Sequence, residues 1–148
     1  MTLAAVTSAG AGAPLLSTDT HALSDPLSPS HTLPLPRDRI APATARDWVS
    51  RRFGADLDEE RLAVTTLLVG ELVTNAFLHG QGTIVLRARL DPDQLFAEVI
   101  DEGHGFAWTR PARDLNRANG WGLIVLDSIA ERWGIEQGTT HVWFELDL

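Results

Sequence analysis

Between Asp58 and Gly80 the sequence carries one long helical period. Leu62, Leu67, Leu68, Leu72, Val73, Ala76 and Phe77 recur at helical spacing and lay a broad apolar face along it. Asp58 offers an N-cap oxygen, Glu59 and Glu60 place negative charge at the positive end of the helix dipole, and Gly80 stops the run. Such a face has to be covered, and the neighbouring segments say by what. Pro42 suits a first helical turn, and Ala45, Trp48, Val49 and Phe53 continue that helix to Gly54. Thr83 to Leu90 alternates as a strand, with Ile84, Leu86, Ala88 and Leu90 inward and Arg87 and Arg89 outward. Asp91-Pro92-Asp93 makes a turn, and Leu95 to Ile100 returns.

After an irregular stretch, a third helix is predicted from about Gly122 to Arg132. Ile135–Gln137 and His141–Asp147 then form a hairpin across Gly138. This order implies an α/β fold, a two-layer sandwich with helices on one face of a mixed β-sheet. Trp48, Trp133 and Trp143 fall where packing in a core or interface explains them. Trp121 is read equally well as a surface cover or as a contact to a ligand or partner.

The sandwich is assigned to residues 37–148. Residues 1–36 are rich in Ser, Thr, Ala and Gly, with Pro14, Pro26, Pro29, Pro34 and Pro36 scattered through them. Such a stretch buries too little apolar surface to offset its ordering entropy, so a disordered tail is expected. The alternatives are a partner-binding arm or a start codon placed too early.

Composition narrows the chemistry. All 12 basic residues are arginine and there is no cysteine. A phosphate loop of the GK[ST] kind and the strand lysine of ordinary protein kinases are therefore excluded, as are Schiff bases and thiolate metal sites. Any phosphate chemistry must rest on backbone amides, Mg²⁺ and arginine. A net charge of −8 argues against nucleic acid as the main partner. No apolar run reads as long enough to span a membrane, and no Lys or Arg precedes Arg37 to start a secretory signal. A cytoplasmic location is the expectation.

Three short motifs stand out. Glu71, Asn75 and His79 are spaced four apart and make one polar stripe beside the apolar face, which by itself describes the solvated side of many helices. Asp101-Glu102-Gly103-His104-Gly105 follows a strand and could be a plain turn. A carboxylate at that strand end can also accept a hydrogen bond from the exocyclic amine of adenine. Guanine presents a carbonyl oxygen there and would be repelled, while Gly103 and Gly105 would let backbone approach the base. Gly120-Trp121-Gly122-Leu123 opens the last helix, either as simple helix entry or as exposed amides at a dipole end that suits phosphates.

In their order and spacing these three motifs resemble the N, G1 and G2 boxes of the histidine-kinase-like ATPases, the Bergerat ATP-binding fold shared by histidine kinases, gyrase B and MutL. The resemblance covers about residues 37–148. The Glu71 form of the N box, the small size and the closing Trp133-Gly134 and Val142-Trp143-Phe144 are more narrowly similar to anti-sigma-factor serine/threonine kinases of the RsbW type.

The resemblance implies ATP and Mg²⁺ as cofactors. It makes Asn75 the Mg²⁺ ligand, Glu71 the general base and Asp101 the reader of adenine, with Gly103 and Gly105 giving it room. It also makes Gly120 and Gly122, with the amides around Trp121 and Leu123, the phosphate cradle, and residues 107–119 a lid. His79 lies near the phosphates in this scheme, or is a helix-end hydrogen bonder. Two positions depart from the pattern. Ala118 stands where many of these kinases have an arginine, leaving Arg117 or Arg113 to substitute, and His141 stands where a threonine contacts adenine through water, with Thr140 adjacent.

Two functions follow from the resemblance. One is a serine/threonine kinase that sequesters a sigma factor and phosphorylates an anti-sigma-factor antagonist. The other is an ATP-dependent protein-binding module without phosphoryl transfer, which Ala118 and His141 favour. A homodimer is compatible with either. No helical hairpin presents a phospho-accepting histidine, which argues against a detached domain of a two-component system.

Overall fold

The structure is a computed structural model, and it describes residues 3–4, 28–104, 121–136 and 141–148 of the chain. Its elements in chain order are β1 (Leu3–Ala4), β2 (His31–Leu35), α1 (Ala41–Phe53), α2 (Glu59–His79), β3 (Ile84–Leu90), β4 (Gln94–Ile100), α3 (Trp121–Ile129), β5 (Arg132–Glu136) and β6 (His141–Asp147). The six strands form one sheet in the order β1-β5-β6-β4-β3-β2. The two-layer α/β sandwich forms as the element order implies. Its described strand pairings are all antiparallel, where a mixed sheet was expected, because β3–β4 and β5–β6 pair as neighbours in sequence and β6 runs opposite to β4 beside it.

α2 begins as its sequence dictates. The Asp58 carboxylate accepts the Arg61 N–H at 2.7 Å, and the Gly80 N–H closes the last turn on the Ala76 carbonyl at 2.9 Å. α1 packs along one flank of α2 and α3 lies against it as well. At 21 residues, with a mean hydropathy of 1.4 over its most apolar window, α2 is long and apolar enough to cross a membrane, contrary to the sequence expectation. Here it is the central helix of the sandwich, and Leu68, Val69, Leu72 and Val73 are buried in the core with Ile84, Leu86, Leu95 and Phe144 from the sheet.

The stretch expected to be a disordered tail to residue 36 contributes a strand. β2 pairs with β3 from His31↔Ala88 to Leu35↔Ile84, and Leu35 is 1% exposed in the core. The two prolines that argued against order, Pro34 and Pro36, are tolerated because β2 is an edge strand, where a missing N–H interrupts no central ladder. Leu3–Ala4 pairs with β5 at the opposite edge. Residues 1–2 and 5–27 of the expected tail lie outside those described.

The sheet face opposite the described helices is not bare. Across it run the rows Arg87–Glu98–Trp143–Gly134 and Arg89–Phe96–Glu145–Arg132, set by the pairings of β3, β4, β6 and β5. Phe96 and Trp143 stack at 6.3 Å between centroids, and the Arg89 guanidinium lies 5.3 Å from the Phe96 ring centre. Arg87 donates to Glu98 at 2.6 Å, and Arg132 bonds both Glu145 and Asp147. Trp133 belongs to the other face, fully buried among the helices, with its indole N–H donating to Asp127 at 3.0 Å.

Candidate nucleotide-binding site

The polar stripe of α2 survives folding. Glu71 and Asn75 are half-buried one turn apart, about 6 Å along the axis. Neither side chain makes a hydrogen bond or ion pair among the described residues, while Leu72 and Val73 between them are locked in the core. The backbone around them is therefore fixed, and their oxygens remain available for a ligand. His79 is exposed in the last turn.

Asp101 stands just past the end of β4, on the helix-bearing side of the sheet, and is 7% exposed. Its Oδ1 accepts the Gly103 N–H at 2.7 Å and the Gln81 N–H at 3.4 Å. The carboxylate abuts the backbone of Gly80. A Cβ at residue 80 would overlap Asp101 Oδ2 and sit 2.7 Å from the Ala76 carbonyl oxygen, so the close approach requires glycine. The next residue continues the join: the Glu102 N–H donates to Gln81 O at 2.8 Å, and its carboxylate accepts the Thr83 N–H at 2.7 Å. Gly82, at φ +68°, makes the turn that permits this, and a Cβ there would overlap Glu102.

Sequence reasoning missed this second strut of the site. Gly80 was read only as a helix stop, although Gly80-Gln81-Gly82 is a glycine pair facing the Asp101 motif. Arg37 was missed altogether. Its Nη1 donates to Phe77 O at 2.7 Å and its Nε to Gly82 O at 3.0 Å, tying the last turn of α2 to the bend after it.

The phosphate side is only partly described. Trp121 and Gly122 open α3, and Leu123 is 2% exposed in the core, so only its backbone amide is offered to a ligand. Gly105, Arg113, Arg117, Ala118, Gly120 and Thr140 lie outside the described residues.

His141, the departure from the family pattern, lies away from the Asp101 side of the sheet. Val142 and Val99 pair on the helix side, so His141 points to the opposite face from Asp101. Its Nδ1 is 2.8 Å from Glu136 Oε2, and its Nε2 bonds Glu98. Burial alone would lower the imidazole pKa, but the bonds and charges of Glu98 and Glu136 outweigh it and raise the value above 6.5. Burial likewise pushes the Glu98 carboxyl up, and His141 with Arg87 more than reverses this, leaving it below 4.5. His141 thus belongs to an ion network and not to the adenine site.

The donor set fits an adenine nucleotide with Mg²⁺. It combines a backed carboxylate with glycine beside it, an amide oxygen and a carboxylate on the adjoining helix that have no partner among the described residues, and a helix N-terminus packed alongside. Comparison with curated proteins returns no match. Residues 36–146, most of the chain, match the family model of the histidine kinase-like ATPase domain, and the chain belongs to that family of ATP-binding domains.

Proposed function

We propose that the protein is a cytoplasmic ATP-dependent regulator of the anti-sigma-factor kinase type, which binds a sigma factor and phosphorylates a hydroxyl of an anti-sigma-factor antagonist. The observation that carries this reading is the half-buried Glu71 carboxylate, one helical turn before Asn75 and without a partner among the described residues. A pure binding site for ATP and Mg²⁺ has no need of a further carboxylate beside the metal ligand, whereas a transfer reaction needs a base for the attacking hydroxyl.

In this reading Asp101 accepts from the adenine amine and Gly80 and Gly103 leave the base room. The Asn75 amide oxygen would help hold Mg²⁺, and Glu71 would take the hydroxyl proton as the acceptor oxygen bonds to the γ-phosphorus of ATP and ADP leaves. Bound Mg·ATP supplies the phosphoryl group and the divalent charge that offsets its oxygens. The amides opening α3 at Trp121–Leu123 face the remaining phosphate charge.

One observation favours a second reading, an ATP-dependent binding module without transfer. His141, at the position where the resembled kinases place a threonine beside adenine, is held on the far side of the sheet by Glu98 and Glu136. Incubation of the full chain with γ-labelled ATP, Mg²⁺ and candidate antagonist proteins separates the two. The kinase reading expects a labelled serine or threonine with the wild type and none with Glu71→Ala, which should still bind ATP. Intact ATP binding with no phosphoprotein would overturn it in favour of the binding module.

A further inference from the structure

We propose that Arg37 is a positioning residue that sets the base specificity of the nucleotide site, acting through the bend at Gly80–Gly82 on the carboxylate of Asp101. The inference rests on the reading of Asp101 as the adenine acceptor.

The chain of contacts is continuous. The planar guanidinium spans two carbonyls that no helix bond satisfies, Phe77 O in the final turn of α2 at 2.7 Å and Gly82 O beyond it at 3.0 Å. Fixing both closes the bend between them. Inside the bend, the Gln81 N–H faces Asp101 Oδ1 at 3.4 Å, and Gln81 O accepts the Glu102 N–H at 2.8 Å. The Gly80 backbone presses on the other carboxylate oxygen so closely that no side chain fits. The Asp101 carboxylate is thus clamped between Gly103 on its own segment and residues 80–81 on the other, and Arg37 is the outer tie of that second jaw.

Arg37 is itself half-buried. Its third nitrogen, Nη2, is enclosed without a hydrogen-bond partner among the described residues, so the group has no competing attachment there. Arg37 also follows directly on β2, whose Leu35 is anchored in the core. The tie is therefore referenced to the rigid sheet and not to a swinging loop.

A clamp on Asp101 matters for specificity in particular. Adenine and guanine present opposite hydrogen-bonding groups to the same carboxylate, so discrimination depends on that carboxylate being unable to swing away from the guanine carbonyl oxygen. In that reading the triphosphate and Mg²⁺ are held by Asn75 and the start of α3 and not by the residues of the clamp. Loosening the clamp should therefore reduce the preference for ATP over GTP more than it reduces triphosphate binding as such.

The test is fluorescence titration of the full chain with ribose-labelled N-methylanthraniloyl ATP and GTP, in Mg²⁺, for wild type, Arg37→Ala, Arg37→Lys and Asp101→Asn. A thermal melt of each variant provides the folding control. The expected result is that Arg37→Ala lowers the ratio of the GTP to the ATP dissociation constant by about fivefold or more, the factor a lost hydrogen bond commonly carries. Arg37→Lys, which keeps the charge but cannot span both carbonyls, should fall between. If Arg37→Ala unfolds, the lysine variant decides, because a purely structural or charge role predicts a wild-type ratio for it. An unchanged ratio in the arginine variants, with a collapsed ratio in Asp101→Asn, overturns the role of Arg37 alone. An unchanged ratio in Asp101→Asn overturns the adenine reading itself, and this inference with it.

Discussion

The indole of Trp143 lies directly over Gly134 on the neighbouring strand. A Cβ at residue 134 would come within 2.8 Å of indole Cε2 and Cζ2 and 2.9 Å of Nε1. The pair is in register across β5 and β6, and Trp143 is 5% exposed, so the ring has little freedom to retreat. Gly134→Ala should destabilise the fold by about 1–3 kcal/mol, the usual range for overpacking a filled site. Urea unfolding followed by tryptophan fluorescence measures it. Trp143→Leu in the same chain should recover part of the loss, and additive effects of the two changes would show that the new methyl and the indole do not clash.

The ion network around His141 predicts a particular pH profile. The folded imidazole titrates above its ordinary 6.5, so its stabilising contribution is complete below that value and disappears as pH rises through the folded one. Glu98 titrates below its ordinary 4.5, so its contribution is complete above that value and is lost only as pH falls through the lower one. The network is therefore at full strength between those two ordinary values. Unfolding free energies of wild type and His141→Gln should differ most near pH 6, and the difference should shrink as pH rises through the raised value of the folded imidazole. A difference that stays constant over that range would contradict the assignment.

Asn75→Ala should weaken ATP binding by about tenfold when Mg²⁺ is present and much less when it is chelated, because the amide oxygen acts through the metal shell. Titration of the labelled ATP analogue with and without chelator reads both arms. Equal loss in the two arms would place Asn75 on the nucleotide directly.

Gly80→Ala forces apart two groups that now touch, the helix end and Asp101. The new methyl can displace the carboxylate but not the Ala76 carbonyl, 2.7 Å away, without unwinding the last turn. ATP affinity should fall by tenfold or more, as displacements of about 1 Å at a binding group commonly bring. Isothermal titration of a folded variant with wild-type affinity would remove Gly80 from the site.

Much of this arrangement is readable from local chemistry. Asp58, the apolar period and Gly80 define α2 because cap, face and stop are all encoded within its own length. The alternation from Ile84 to Leu90 defines β3 for the same reason, one face being buried. The third helix ends at Ile129, earlier than its helix-forming residues suggest. Arg132 and Trp133 are drawn into β5, where Trp133 fills the core and Gly134 makes room for Trp143. That outcome depends on partners distant in sequence, which no local period records. β2 was hidden because Pro34 and Pro36 look like punctuation until the strand is known to lie at an edge. In the site, the stripe of α2 and the Asp101 motif were visible as residue spacing. The Arg37 tie spans 40 and 45 residues to its two carbonyls and has no signature along the chain.

The family match begins at residue 36, and that boundary is a poor place to cut this protein. A shortened version starting there would lose β2, empty the place of Leu35 and leave the β3 ladder of amides and carbonyls open along its length. An open, apolar-backed strand of that kind recruits other strands, and the readiest supply is another copy of the same molecule. Pro34, which cannot donate from its nitrogen, is well placed as the last residue but one of the strand that now closes that edge. Trimmed versions should therefore be insoluble or self-associated for a reason unrelated to any regulatory partner, and binding work on this fold is best begun ahead of residue 28.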